Sequence, residues 1–323
     1  MNAPVLSVVL VAPDGYSEVA TTLRYLRAQT IARQLELLIV APAADDFPVR
    51  DEDAAAFGKV TLVEVPEVKI LAAARAAGAA RASAPFVAFS EDHSFPEPTW
   101  AAALVAAHEQ GYAGVAPEMK NGNPATAVSW AAMFLHFGGV VEPRHGFETD
   151  WPTASHNMSY RRDALLQLGD QLSELLLAEL FLHRALRTRG HKFWVEPAAA
   201  TRHVNSSRIG PALRHAWLGG RLYGGLRYGF DAWSLARRIV YAGGSFLIPL
   251  LRLRRVLAEM RRTRHGLELL PRVLPAMVAI LITHAAGEAA GYLFGVGGTR
   301  VTYSALESKR HRFVKPEERA LWS

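Results

Sequence analysis

The chain of 323 residues contains no cysteine. Disulfide bonds, thiolate catalysis and cysteine-built zinc sites are therefore excluded, and redox chemistry says nothing about the compartment. A basic leader is also missing, since MNAPVLSVVLVAP carries no lysine or arginine ahead of its apolar residues. That stretch alternates like a strand and does not read as a signal peptide, so a cytoplasmic body is the expectation. Charge is modest, a fifth of the residues against a half that are hydrophobic. The length allows one large domain or two smaller ones.

The charge that is present leans positive. A net charge of +6 and an isoelectric point near 9.7 point to an anionic partner: nucleotide phosphates, nucleic acid or an anionic bilayer. Beyond residue 200 arginines crowd the chain, from Arg202 and Arg208 to Arg261, Arg262 and Arg264. They are interleaved with long apolar stretches, and no recognition module accompanies them, so nucleic acid is not expected as a partner.

Short β-branched runs alternate with alanine-rich helical stretches through the first half. Strands are expected at 6–12, 35–42, 60–65 and 85–90, and helices at 17–30, 70–83 and 98–110. This alternation argues for a mostly parallel α/β sheet covered on both faces. Ligands in such sheets sit at the carboxyl ends of strands. In AFSEDHSFPEP (88–98) the apolar fourth strand stops at Glu91, Asp92 and His93, so this polar cluster is placed where a site belongs. A further strand and loop follow at 111–130, then a less regular stretch to about 155. A helix starts with SYRRDALLQLG, a single strong helix is expected at 173–190, and HKFWVEP reads as a final strand.

From about residue 210 the composition changes. Residues 239–264 run from an apolar stretch into a basic helix, and 267–298 are largely apolar. Residues 273–294 approach the length of a membrane span, but His284 and Glu288 interrupt them, which is costly in hydrocarbon. Helices lying in the interface of an anionic bilayer are the expectation; a spanning segment, a buried helix pair or a homodimer interface are the alternatives.

The order of motifs resembles the family 2 glycosyltransferases. SVVLVAPDGYSEVATTLRYLRAQT is similar to that family's opening strand, loop and helix, and LELLIVAP to its second strand. AAARAAGAARASAPFVAFSEDHSFPEPTW resembles the segment carrying its metal-binding Asp-x-Asp. HNMSYRRDALLQLG and AELFLHRALRTRGHKFWVEPAAATRHV are similar to its Asn-Met stretch and to its acidic helix, Arg-Gly turn and closing strand. The resemblance implies a GT-A fold over residues 1–209, with an arginine-rich helical extension over 210–323. It implies a metal-assisted, inverting glycosyltransferase that moves a sugar from a nucleotide-diphosphate donor, a UDP-sugar favoured, to a hydroxyl acceptor. The acceptor would be an envelope glycan, a lipid-linked molecule or a secondary metabolite. Localisation follows at the inner face of the cell membrane, peripheral or integral. A non-catalytic, membrane-associated scaffold is the alternative.

The resemblance also implies roles for single residues. Glu91 and His93 occupy the two acidic places of the Asp-x-Asp, with Asp92 between them. Mn2+ or Mg2+ is the implied cofactor, imidazole being the more natural for Mn2+. Asp92 is then the chief ligand, joined by His93 and by His203, while Glu91 reaches toward the donor's ribose or sugar. Glu179 falls at the place of the general base, although Ala178 replaces the acid usually before it, and Glu174 competes if the alignment slips. Arg75 is a phosphate or base contact. His156, Asn157 and Trp130 face the acceptor, with Trp151 a second aromatic that could stack on a sugar. The base pocket departs from the pattern, so Asp14, Asp45 or the backbone would recognise the nucleotide.

Overall fold

The computed structural model describes residues 3–42, 50–152, 155–264 and 266–318. The chain forms two compact units. One comprises Met1–Lys120 and Val140–His203, the other Asn121–Gly139 and Val204–Ser323. The composition change near 209 thus falls a few residues past the end of the first unit, and a short inner segment joins the second.

The first unit is built on one nine-stranded sheet. β1 (Leu6–Val11) and β2 (Leu35–Ala41) are buried at every position and aliphatic except at Ser7 and Glu36, whose side chains hydrogen-bond to each other. A strand covered on both faces has no side turned to water, so apolar residues dominate both β1 and β2. β1 lies parallel to β2 and to β4 (Phe86–Ser90), and β2 lies parallel to β3 (Lys59–Glu64). The helix Leu71–Arg81 covers β1 and β2 closely because Gly78 sits against them. A Cβ there would meet Val9 Cγ1 at 2.5 Å and Val40 Cγ2 at 3.0 Å.

Beyond β4 the sheet turns antiparallel. β8 (Ser159–Arg161) pairs with β4 and with β6 (Gly114–Asn121). β9 (Phe193–His203) follows β6 in the sheet and pairs antiparallel with β5 (Ser94–Pro96) and β7 (Phe147–Thr149). The parallel strands run β3-β2-β1-β4, so chain order reverses between β1 and β4. Open α/β sheets form their ligand crevice at the carboxyl ends of such a switch. The α/β architecture is that of a GT-A fold.

One expected element is broken. In place of a continuous helix over 173–190 there are two, Leu172–Leu175 and Glu179–Arg187. Ala178 between them is extended, at φ −148° and ψ 100°. Leu175, Leu176, Phe181 and Leu182 are all buried, and two such adjacent pairs cannot share one face of a straight helix. The break re-aims the second pair and makes Glu179 the first residue of the new helix.

The second unit is helical: Ala127–Phe137, Ile209–Phe230, Leu235–Gly244, Ile248–Met260, Gly266–Phe294 and Thr299–Glu307. Gly266–Phe294 is long and apolar enough to cross a membrane. One side of it packs on Ile209–Phe230 at backbone distance. A Cβ at Gly291 would lie 2.4 Å from the Arg221 carbonyl oxygen, and one at Gly220 would strike the His284 carbonyl.

Candidate active site

The turn after β4 is fixed from several sides. Thr22 Oγ1 donates to the Glu91 carbonyl at 3.0 Å, and the Ser94 amide donates to the same oxygen at 3.2 Å. The register of β5 on β9 sets Ser94 opposite His203. That pairing brings His203 beside His93, with ring centroids 4.8 Å apart and nearly perpendicular. The pairing of β4 with β8 sets Ala88 opposite Ser159, so Asn157, just before β8, faces the end of β4.

Glu91 is the centre of this arrangement. Its Oε1 accepts from Arg75 Nη2 at 3.0 Å, and its Oε2 accepts from Asn157 Nδ2 at 2.8 Å. Oε2 also lies 3.7 Å from His93 Nε2 and 3.6 Å from His203 Nε2. Burial pushes the Glu91 pKa up. His93, His203, Arg75 and His156 together outweigh that push and hold the carboxyl well below the usual carboxylate range.

Glu91, His93 and His203 form a buried group whose donor atoms all lie within 4.8 Å of one another. These three residues could hold a metal ion. Two imidazoles and a carboxylate suit Mn2+ and other borderline cations better than Mg2+, which prefers an oxygen shell. Asp92, the ligand expected from the sequence, is turned elsewhere: its Oδ1 lies 2.6 Å from His93 Nδ1. A carboxylate on Nδ1 fixes the imidazole tautomer and leaves Nε2 facing the cluster. Glu91 thus stands beside the histidines, where the sequence points to Asp92.

Glu179 approaches the same region. Its Oε1 is 3.5 Å from His156 Nδ1, and both atoms are buried without a hydrogen-bond partner. The charge of Glu179 is also felt by two residues that the sequence reading did not single out, Tyr160 and His183. The Tyr160 hydroxyl meets His183 Nε2 at 2.9 Å. Burial pushes the His183 pKa down to about 4, against an opposing pull from Glu179, so His183 is neutral in this contact. Burial, and then the charge of Glu179, raise the Tyr160 pKa well above its usual value. His183 is one helical turn beyond Glu179, and that spacing was the available signal.

The structure therefore brings together Arg75, Glu91, Asp92, His93, His156, Asn157, Glu179 and His203. Asp14 is exposed on the loop after β1, and Asp45 lies outside the described residues. Glu174 sits half-buried on the short helix before the break. Trp130 belongs to the second unit, where its indole N–H donates to the Pro124 carbonyl and its ring stacks on Phe134. Trp151 carries the Arg187 guanidinium over its ring at 4.7 Å.

No curated protein matches the chain. The family model described as Glycosyl transferase family 2 matches residues 7–169. That span runs from β1 through the Glu91 turn to His156 and Asn157, and ends before Glu179 and His203. Covering half of the chain, with the sheet and strand-end cluster in place, the match shows that this protein belongs to family 2 of the glycosyl transferases.

Proposed function

We propose that the protein transfers a sugar, with inversion, from a nucleotide-diphosphate donor to a hydroxyl acceptor, and that Glu179 is its general base. The observation that carries this reading is the convergence of Glu179, through His156, on the Glu91 cluster at the carboxyl end of β4. Glu179 Oε1, buried and without a partner, takes the proton of the acceptor hydroxyl. As it does so, the hydroxyl oxygen bonds to the anomeric carbon, and the bond from that carbon to the diphosphate oxygen breaks. One displacement of this kind inverts the anomeric centre. His156 stands beside Glu179 to orient the carboxylate and the incoming hydroxyl.

The residues for the leaving group are those around Glu91. Arg75 keeps a buried Nε–H without a hydrogen-bond partner, a donor for a phosphate oxygen. Glu91, His93 and His203 would hold the cation, with Asp92 orienting His93. When bound there, Mn2+ or Mg2+ would supply positive charge against the negative charge growing on the departing diphosphate. A UDP-sugar is the proposed donor, and the acceptor is proposed to be presented at the inner face of a cell membrane. These buried, convergent acids and imidazoles favour an enzyme over a scaffold.

Calorimetry tests the donor half of this reading. Nucleotide-diphosphate sugars are titrated into wild type and Glu91→Gln, each with and without Mn2+. The reading expects Mn2+-dependent binding by wild type that Glu91→Gln weakens at least about tenfold. Binding indifferent to both the cation and the substitution would refute it.

A further inference from the structure

The outward face of the two helices at 235–260 is the reverse of what a water-facing helix shows. Such a face is ordinarily polar, yet Val240 is 70% exposed, Phe246 76% and Leu250 67%. Leu235 and Ile239, one helical turn apart, are exposed beside them, as are Leu247 and Leu251. Isolated exposed apolar residues mean little, but a contiguous set marks a binding surface. Arg238 extends the set: its guanidinium donates to the Tyr292 and Leu293 carbonyls at 2.7 Å each. Those bonds anchor it at the end of Gly266–Phe294, where Phe294 is itself largely exposed.

Charge identifies what covers this face. Residues 235–264 carry eight arginines against one glutamate, so this stretch alone exceeds the whole chain's net charge of +6. Arg254 and Arg255 are not on the opposite side of the helix. Phe246 and Leu250 are followed one turn on by Arg254, and Leu247 and Leu251 by Arg255, with Arg254 and Arg255 exposed. The apolar stripe therefore runs directly into a cationic one. A protein partner would need a matching acidic-and-apolar groove. An anionic bilayer offers both chemistries at once, acyl chains for the leucines and phosphates for guanidinium groups that snorkel to the headgroups.

We infer that the helices Leu235–Gly244 and Ile248–Met260 dock the protein on anionic lipid, lying in the interface with Phe246, Leu250 and Leu251 among the acyl chains. This deepens the proposal that the acceptor is presented at a membrane and rests on it for its purpose. The binding itself is independent of catalysis. Arginines near an anionic surface contribute about fivefold each in partition, and the attraction fades as salt shortens the Debye length.

The test is flotation of the purified full-length chain with vesicles of phosphatidylcholine alone or with phosphatidylglycerol. Wild type is expected to float with the anionic vesicles, at least about tenfold more than with neutral ones, and to be released by about 1 M salt. Arg254→Glu with Arg255→Glu, and separately Phe246→Ser with Leu250→Ser, are each expected to abolish flotation. Both pairs are exposed, so the melting curve and donor binding stay at wild-type values. Equal flotation on neutral vesicles, or none on anionic ones, would overturn the inference. So would retention through high salt and alkaline washing, which marks a spanning segment. A concentration-dependent dimer dissociated by Phe246→Ser with Leu250→Ser, without lipid binding, would assign the face to a second copy instead. If flotation fails while donor binding holds, only the docking surface is wrong.

Discussion

Replacing Arg75 with methionine tests how the Glu91 carboxylate is held. Both side chains are only 4% exposed, and the ion pair spans 3.0 Å. Removing one partner of such a pair leaves a charge with little water to turn to, which costs about 3–5 kcal/mol. Asn157 remains on Oε2 at 2.8 Å and offsets part of this, since a hydrogen bond to a charged group contributes about 1.5–3 kcal/mol. A net loss near 3 kcal/mol is therefore expected for Arg75→Met. Glu91→Gln alone also destabilises, because it strands the guanidinium. The double variant removes both charges and is expected to cost less than the sum of the two by at least about 2 kcal/mol, as coupled neighbours do. Urea unfolding of the four proteins, followed by far-UV circular dichroism, measures each term. Additive losses, or a loss below about 1 kcal/mol for Arg75→Met, would show instead that solvent already screens the pair.

Other outcomes follow from the packing. His108 is buried against Phe86, with Nδ1 on the Tyr112 carbonyl and Nε2 on Ser159 Oγ, and burial pushes its pKa down to about 4. The unfolded chain takes up this proton near pH 6.5, so the stabilisation is full above that pH and is lost as pH falls toward 4. Between pH 7 and 4.5, wild type is expected to lose about 2 kcal/mol more than His108→Gln, and equal losses in urea titrations would contradict this. Gly291→Ala sets a Cβ 2.4 Å from the Arg221 carbonyl, so overpacking of up to about 3 kcal/mol outweighs a helix-propensity gain near 1 kcal/mol. Its unfolding midpoint is expected to fall. Gly243→Ala, with no atom within 4 Å of the new Cβ, is expected to leave the midpoint unchanged or raise it.

The parallel half of the sheet was legible because β1, β2 and β4 are mostly aliphatic or aromatic, with only Ser7, Glu36 and Ser90 polar, and are separated by helical periodicity. The short antiparallel strands were not. β5, β7 and β8 hold three residues each, too few to show a period, and they exist through pairings with residues far along the chain. The cluster at 91–93 was visible as polarity ending an apolar strand. Which carboxylate faces the histidines was not, because two adjacent acids in a turn point differently only once the Thr22 and Ser94 hydrogen bonds fix that turn. Glu179 stood out in an apolar helix, but the break at Ala178 that re-aims it depends on packing the two pairs of buried apolar residues around it. The helix Ala127–Phe137 read as irregular chain, and its place in the second unit comes from tertiary contacts that local sequence does not carry.

In the proposed reaction Glu179 takes the acceptor proton while the Glu91 cluster holds the donor. The most direct measurement compares sugar transfer from a UDP-sugar by wild type and Glu179→Gln in Mn2+, with donor affinity measured on the same preparations. Turnover is expected to fall by about 10²–10⁴ with donor affinity unchanged, because glutamine keeps the shape of the side chain and loses only the base. Wild-type turnover in Glu179→Gln would contradict this, and so would a loss explained entirely by weaker donor binding.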